Sequence, residues 1–323
     1  MRSNARTQLD FLRLREAGAR AQCFAVFLDR EACERRGVSP WQRYEQLRDH
    51  FYREMEKNPD VVRQVRTANE LDDAVRNGAV GAVLTVEGGE LLGGESCGGS
   101  RTCGGKEAGC RDGAKTEASD SEIDMLRTGL ERMWADGVRL LTLTWNYEND
   151  LGYPNGSKGG LKKAGYEAVA YMQELGMIVD VSHLSDRGFW DVMETAGKPV
   201  IASHSCARSL CGHQRNLTDA QLRALGEKGG VVGVNFHAPF LKDGGVSGSV
   251  EETAHHLRHI ISCAGSEAAA FGSDYDGMQG TPEWGGCEGM PRLIEALSAY
   301  FDAKTLEKIC YLNAERLFRQ CLP

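Results

Sequence analysis

The stretch Gly176-Met-Ile-Val-Asp-Val-Ser-His183 closes a short apolar run on a histidine, and Pro199-Val-Ile-Ala-Ser-His204 repeats the arrangement further along the chain. Runs of this length, often β-branched and not alternating with polar residues, suit strands buried on both faces of a parallel sheet. Working outward, such runs are found at Ala21–Phe27, Ala79–Val86, Val138–Leu143, Met177–Val181, Pro199–Ala202, Gly230–Phe236 and Ala268–Phe271. Amphipathic segments with recognisable starts lie between them. Thr67-Ala-Asn-Glu70, Ser119-Asp-Ser-Glu122, Thr218-Asp-Ala-Gln221 and Ser249-Val-Glu-Glu252 each read as a capping box, and Ser39-Pro40 puts proline at a first helical position. Repeated strand–helix alternation predicts an α/β fold, a (β/α)8 TIM-like barrel. The seven runs are one short of the eight strands that a closed barrel requires.

At 323 residues the chain is long for an ordinary domain, yet a barrel uses that length as one unit, so a single domain over 1–323 is expected. The formal net charge of −8 argues against nucleic acid or an anionic membrane surface as partner and favours a small molecule. The opening residues hold no apolar core of signal-peptide length, and no apolar run is long enough to span a bilayer, so a cytoplasmic protein is expected. The eleven cysteines are read as mostly reduced thiols, several of them packed as small apolar residues. From 93 to 118 the chain reads GGESCGGSRTCGGKEAGCRDGAKTEA, which can bury almost nothing apolar and is expected to be a mobile surface insertion. Cys97, Cys103 and Cys110 within it lack the C-x-x-C pairs of structural zinc sites.

The chemistry lies in what ends the strands. Glu87 follows AVLTV, His183 follows MIVDVS, His204 follows PVIAS and Asp274 follows AAAFGS. In a parallel barrel all strand C-termini open on one face, so these four residues, distant in sequence, converge there. Two neutral imidazoles and a carboxylate form a common zinc set, with an open position left for water, and a further aspartate can handle the proton. Either histidine alone is as easily a residue that satisfies its own loop. The recurrence of Glu, His, His and Asp at equivalent positions favours a site. His255, His256 and His259 are read instead as the solvated outer face of a helix, because the glutamate of H-E-x-x-H is absent. His237 is placed near the barrel mouth.

These residues carry a resemblance. VEGGE at 86–90, GVRLLTLTWNYEN at 137–149, LGMIVDVSHLS at 175–185, PVIASHSCARSL at 199–210, QRNLTD at 214–219 and FGSDYDGM at 271–278 resemble the membrane dipeptidase (renal dipeptidase) family of metallopeptidases. The resemblance runs from Thr7 to Leu322 outside the insertion. It implies a metal-dependent hydrolase barrel with two zinc ions bridged by a carboxylate, cleaving dipeptides that carry a free C-terminal carboxylate, and typically dimeric. Glu87 then matches the bridging ligand, His183 and His204 the remaining ligands of one zinc, and Asp274 the acid/base. Arg215 matches the residue that grips the substrate carboxylate, and Asn146 is placed with it in substrate binding.

Two departures qualify the expectation. The family's first strand ends in an H-x-D pair that serves the other zinc, and no H-x-D occurs in these 323 residues. Either that strand lies upstream of Met1, or the chain is a natural truncation with a single-zinc or damaged site; one zinc per chain is expected. Trp145 stands where mammalian members carry a substrate-polarising histidine in the same TLT-x-N context. The sequence therefore predicts a zinc-dependent dipeptidase. Another metal-dependent amidohydrolase and a noncatalytic ligand-binding homologue are the alternatives.

Overall fold

The protein is described by a computed structural model covering residues 1–93 and 119–323; the insertion expected at 93–118, with its three cysteines, lies outside the described residues from 94 onward. All seven expected strands form, with small shifts at their ends. They are β1 (Ala21–Phe27), β3 (Val80–Glu87), β4 (Val138–Thr142), β5 (Ile178–Asp180), β6 (Ile201–Ala202), β7 (Val231–Val234) and β8 (Ala269–Phe271). An eighth, β2 (Val62–Gln64), was not anticipated from the sequence; it is three residues long and its central Arg63 is exposed, so it offers no apolar run.

β1 follows one edge of β3, from Ala21 opposite Gly81 to Phe27 opposite Glu87. The other edge of β3 is shared, by β2 along Val80–Ala82 and by β4 along Leu84–Glu87, with a register shift between Leu84 and Thr85. The order then runs β4-β5-β6-β7-β8, each pair parallel. Among the described residues β8 and β1 are not paired with each other, so the curled sheet stays open at that seam.

Helices begin where the sequence places their caps. Ser39, Thr67, Ser119 and Thr218 form complete capping boxes, while Ser249 accepts from the Glu252 amide. Each satisfies amides that a helix start leaves without an intrahelical partner, typically worth about 1 kcal/mol.

The period-two alternation of the strands divides the apolar residues into two clusters. Ala82, Leu84, Leu141, Val179, Ala202, Val232 and Ala269 face the helical layer. Their strand neighbours Val83, Leu140, Ile178, Ile201, Val231 and Ala270 face inward and pack on Leu317, Phe318, Cys321 and Leu322, the end of the last helix. That helix plugs the N-terminal end of the barrel. Two residues further along the same inward faces, the apolar floor gives way to Thr85, Thr142, Asp180, Ser203, Gly233 and Gly272. The strand-end residues Glu87, His183 and His204 stand above this polar layer.

One expectation about the exterior is corrected. His256 is not on a solvated face: it is 1% exposed. Its Nδ1 accepts from the Ala207 amide and its Nε2 lies 2.9 Å from the Leu241 carbonyl, to which it donates. A helix whose sequence reads as polar outside is here roofed by the segment around Ala207 and by the short helix Ala238–Leu241, and the imidazole satisfies their backbone groups.

Candidate metal centre

Glu87 is the last residue of β3, and His183 and His204 stand in the turns that follow β5 and β6. Parallel strand ends bring all three to one point. His183 Nε2 lies 3.1 Å and His204 Nε2 3.4 Å from Glu87 Oε1, and the two imidazole nitrogens are 2.9 Å apart. Bonds of about 2.0–2.1 Å to one tetrahedral zinc would set such donors roughly 3.3 Å from each other, so the triangle fits a single ion. The chemistry of the donor set, two imidazoles and a carboxylate in a largely buried position, fits zinc as well.

Protonation follows from the packing. Burial, and after it the nearby Arg215 cation, push His183 down to about 3, so its ring is neutral. Burial works against protonation of His204 too, but the Glu87 and Asp274 carboxylates outweigh it and raise its pKa. Burial alone would raise Glu87, yet the His183 and His204 imidazoles packed against it hold it well below the ordinary carboxylate range. In the metal-free protein His204 thus holds a proton more readily than a free imidazole does. Binding a metal must release it.

The ring orientations are fixed from behind. His183 Nδ1 lies 2.9 Å from Asn146 Oδ1, to which it donates. His204 Nδ1 lies 2.7 Å from Ser203 Oγ. Both Nε2 atoms are left facing Glu87. Asn146, placed with the substrate by the sequence, therefore contacts a ligand imidazole directly.

Arg215 lies in the loop before the helix Asp219–Glu227 but not at the surface; it is 5% exposed. Its guanidinium reaches the His204 carbonyl at 3.1 Å and lies over the Phe240 ring, while its buried Nε has no hydrogen-bond partner. The alternative of a surface ion pair with Asp219 does not form: Asp219 accepts from His259 and from Ser209. Asp274, just beyond β8, accepts from Asn235 Nδ2 at 3.0 Å. Its φ is +57°, and among the described residues the non-glycine positive-φ positions are His183, Asp274 and Asp276. Two of the three are site residues, which is where backbone strain concentrates in functional proteins. Trp145 packs on Phe27 with ring centroids 4.8 Å apart and on His183 at 6.3 Å, an aromatic wall beside the ligands.

Sequence reasoning missed two groups. Asp180 is wholly buried beneath the site and accepts four hydrogen bonds, and its signal was a lone acid inside a strand buried on both faces. Glu90, which opens the short 3-10 helix Glu90–Leu92 after Glu87, has both carboxyl oxygens buried, and burial pushes its pKa up to about 7 in spite of the neighbouring Asn149. A second group of donors, Asp219, His259 and Cys263, meets on the outside between two helices, where its members already satisfy one another.

Known proteins similar to this chain point to one family. Residues 1–100 and 118–322 match the family model described as membrane dipeptidase (peptidase family M19). An uncharacterised protein of Klebsiella pneumoniae is 38% identical over 202 residues, covering 59% of this chain and 74% of its own length. An uncharacterised dipeptidase of Schizosaccharomyces pombe is 38% identical over 169 residues, half of this chain but 41% of that protein. Among solved structures, a metallopeptidase of Rhodobacter sphaeroides liganded with a phosphinate mimic of L-Ala-D-Ala superimposes with a TM-score of 0.83. It is 23% identical, and the match covers 99% of this chain and 92% of that one, which shows a shared fold. With the motifs, the barrel and the family match in agreement, this chain belongs to the membrane dipeptidase family, peptidase family M19.

Proposed function

We propose that the chain hydrolyses dipeptides with a free C-terminal carboxylate, using one zinc ion held by Glu87, His183 and His204. The observation that carries this reading is the pairing of a three-donor metal site with a buried arginine beside it. A bound zinc supplies Lewis acidity and lowers the pKa of a water ligand to about 7. Asp274, held by Asn235, takes the proton of the attacking water and returns it to the leaving amine. Arg215 holds the substrate carboxylate: its buried and unpartnered Nε is a donor left for a ligand, and a planar guanidinium grips a carboxylate through two parallel bonds. Trp145 and Phe27 give the mouth an apolar side, which suits a substrate with an uncharged side chain. Membership of the family and the dipeptide mimic bound by the Rhodobacter sphaeroides neighbour support the substrate class.

The test compares a dipeptide with its C-terminal amide. Wild type should cleave the first and reject the second. Arg215→Lys should lower kcat/KM on the dipeptide by about 10–100-fold, the effect of about 1.4–2.8 kcal/mol of lost bidentate binding, with zinc content unchanged. Equal wild-type rates on acid and amide would sink the carboxylate clamp.

A further inference from the structure

Asp180 touches none of the groups assigned to chemistry, yet it is the most heavily hydrogen-bonded side chain near them. Its Oδ1 accepts from the backbone amides of Ser182 at 3.0 Å and Ser203 at 2.9 Å. Its Oδ2 accepts from Thr142 Oγ1 at 2.7 Å and Ser203 Oγ at 2.5 Å. An ionised carboxylate offers about four lone-pair positions, and here each meets a donor. The consequence falls on Ser203. A hydroxyl has one proton, and with that proton committed to Asp180 the oxygen can only accept from His204 Nδ1, 2.7 Å away. A neutral His204 must then carry its proton on Nδ1 and turn the Nε2 lone pair toward Glu87 and His183.

We infer that Asp180, acting through the Ser203 hydroxyl, is a positioning residue that locks His204 in the metal-binding tautomer. The inference rests on the reading of His204 as a metal ligand and adds what holds it ready. The two imidazoles are fixed by unlike partners: a neutral amide oxygen for His183 and a carboxylate-backed hydroxyl for His204. The carboxylate-backed partner is the stronger acceptor and strengthens the basicity of the ring behind which it stands. The fold keeps the arrangement narrow. A Cβ on Gly233 or Gly272 would lie 2.2 Å or 2.1 Å from the Ser203 carbonyl oxygen, so β7 and the residue that follows β8 are bare where Ser203 sits.

Ser203→Ala removes the hydroxyl but keeps the backbone bond from residue 203 to Asp180, so β5 and β6 stay joined. Two readouts are taken on the full chain. In zinc-free protein at alkaline pH, where imidazoles are neutral, nitrogen NMR of His204 should show Nδ1–H in wild type and in Ser203→Thr, and a shift toward Nε2–H in Ser203→Ala. Zinc affinity, measured by competition with a chelator, should fall about 10–100-fold in Ser203→Ala and be retained in Ser203→Thr. Asp180→Asn should move the tautomer in the same direction, because an amide group cannot accept all four donors. A purely structural role for Asp180 would lower the melting temperature while leaving tautomer and zinc affinity unchanged, and that result would overturn the inference. Wild type that binds no zinc would overturn the metal reading together with it. Zinc-binding wild type matched by Ser203→Ala in both readouts would overturn the inference alone.

Discussion

At Glu90 the chain keeps a carboxyl where burial disfavours its charge, and the sign of the effect can be worked out. The folded-state pKa of about 7 stands above the ordinary value of 4.5. Its contribution to stability is therefore complete below about pH 4.5 and is lost as pH rises through 7. At about 1.4 kcal/mol per pKa unit the loss approaches ~3 kcal/mol above pH 8. Glu90→Gln cannot ionise, so in metal-free protein its stability relative to wild type should rise by that amount between pH 4.5 and pH 8. Urea unfolding at the two pH values checks it, and a pH-independent difference would contradict it. His204 links protons to metal binding instead. Its raised pKa means that zinc must displace a proton, so zinc affinity should weaken as pH falls below neutrality. A chelator competition at pH 6 and pH 8 that gave equal affinity would be inconsistent with the proton placed there.

At the scale of elements, the barrel has a stability end and a working end, and substitutions should separate them. Leu317, fully buried in the plug of the last helix, packs on inward strand residues far from the ligands. Leu317→Ala should cost about 2–5 kcal/mol in unfolding free energy while sparing zinc affinity in the folded protein. Gly272→Ala brings a methyl group to 2.1 Å from the Ser203 carbonyl oxygen and should act at the other end, displacing His204 and weakening zinc binding. Strand existence was legible in the sequence because all seven expected strands are short apolar runs, and six of them are buried on both sides; β1 is apolar but exposed on its inward face, and only β2, with its exposed Arg63, gave no apolar sign. The alternation of inward and outward faces was not legible, since both faces are apolar and only contacts tell floor from helical layer. That is also why Asp180 escaped notice: its strand neighbours Val179 and Val181 read as core, and the four donors come from three separate segments. Glu87, His183, His204 and Asp274 could be picked out because topology alone carries strand-end residues to one face. His256 was misplaced because the segments that cover it are far from it in sequence.

For the whole molecule, the seam between β8 and β1 is the feature to set beside the metal site. On the inward side of β1, Cys23, Ala25 and Phe27 are exposed, whereas the inward residues of the central strands are buried. Glu87 ends β3, which pairs with the seam strand β1, and His183 and His204 follow β5 and β6; each of these three strands is paired on both edges, so the three-donor site is supported by paired strands. An ion there ties three elements together and binds only the folded chain. At a hundredfold excess over its dissociation constant, zinc should stabilise the fold by about 2.7 kcal/mol. The melting temperature should rise by several degrees with zinc and fall back with chelator. The central claim is that Glu87, His183 and His204 form one metal site, and counting metal in the intact protein tests it most directly. Native mass spectrometry of wild type and His204→Ala, each folded and exposed to zinc and then to buffer, should show one zinc per wild-type chain and none in the variant. Two retained zincs in wild type, or equal zinc in both proteins, would contradict it.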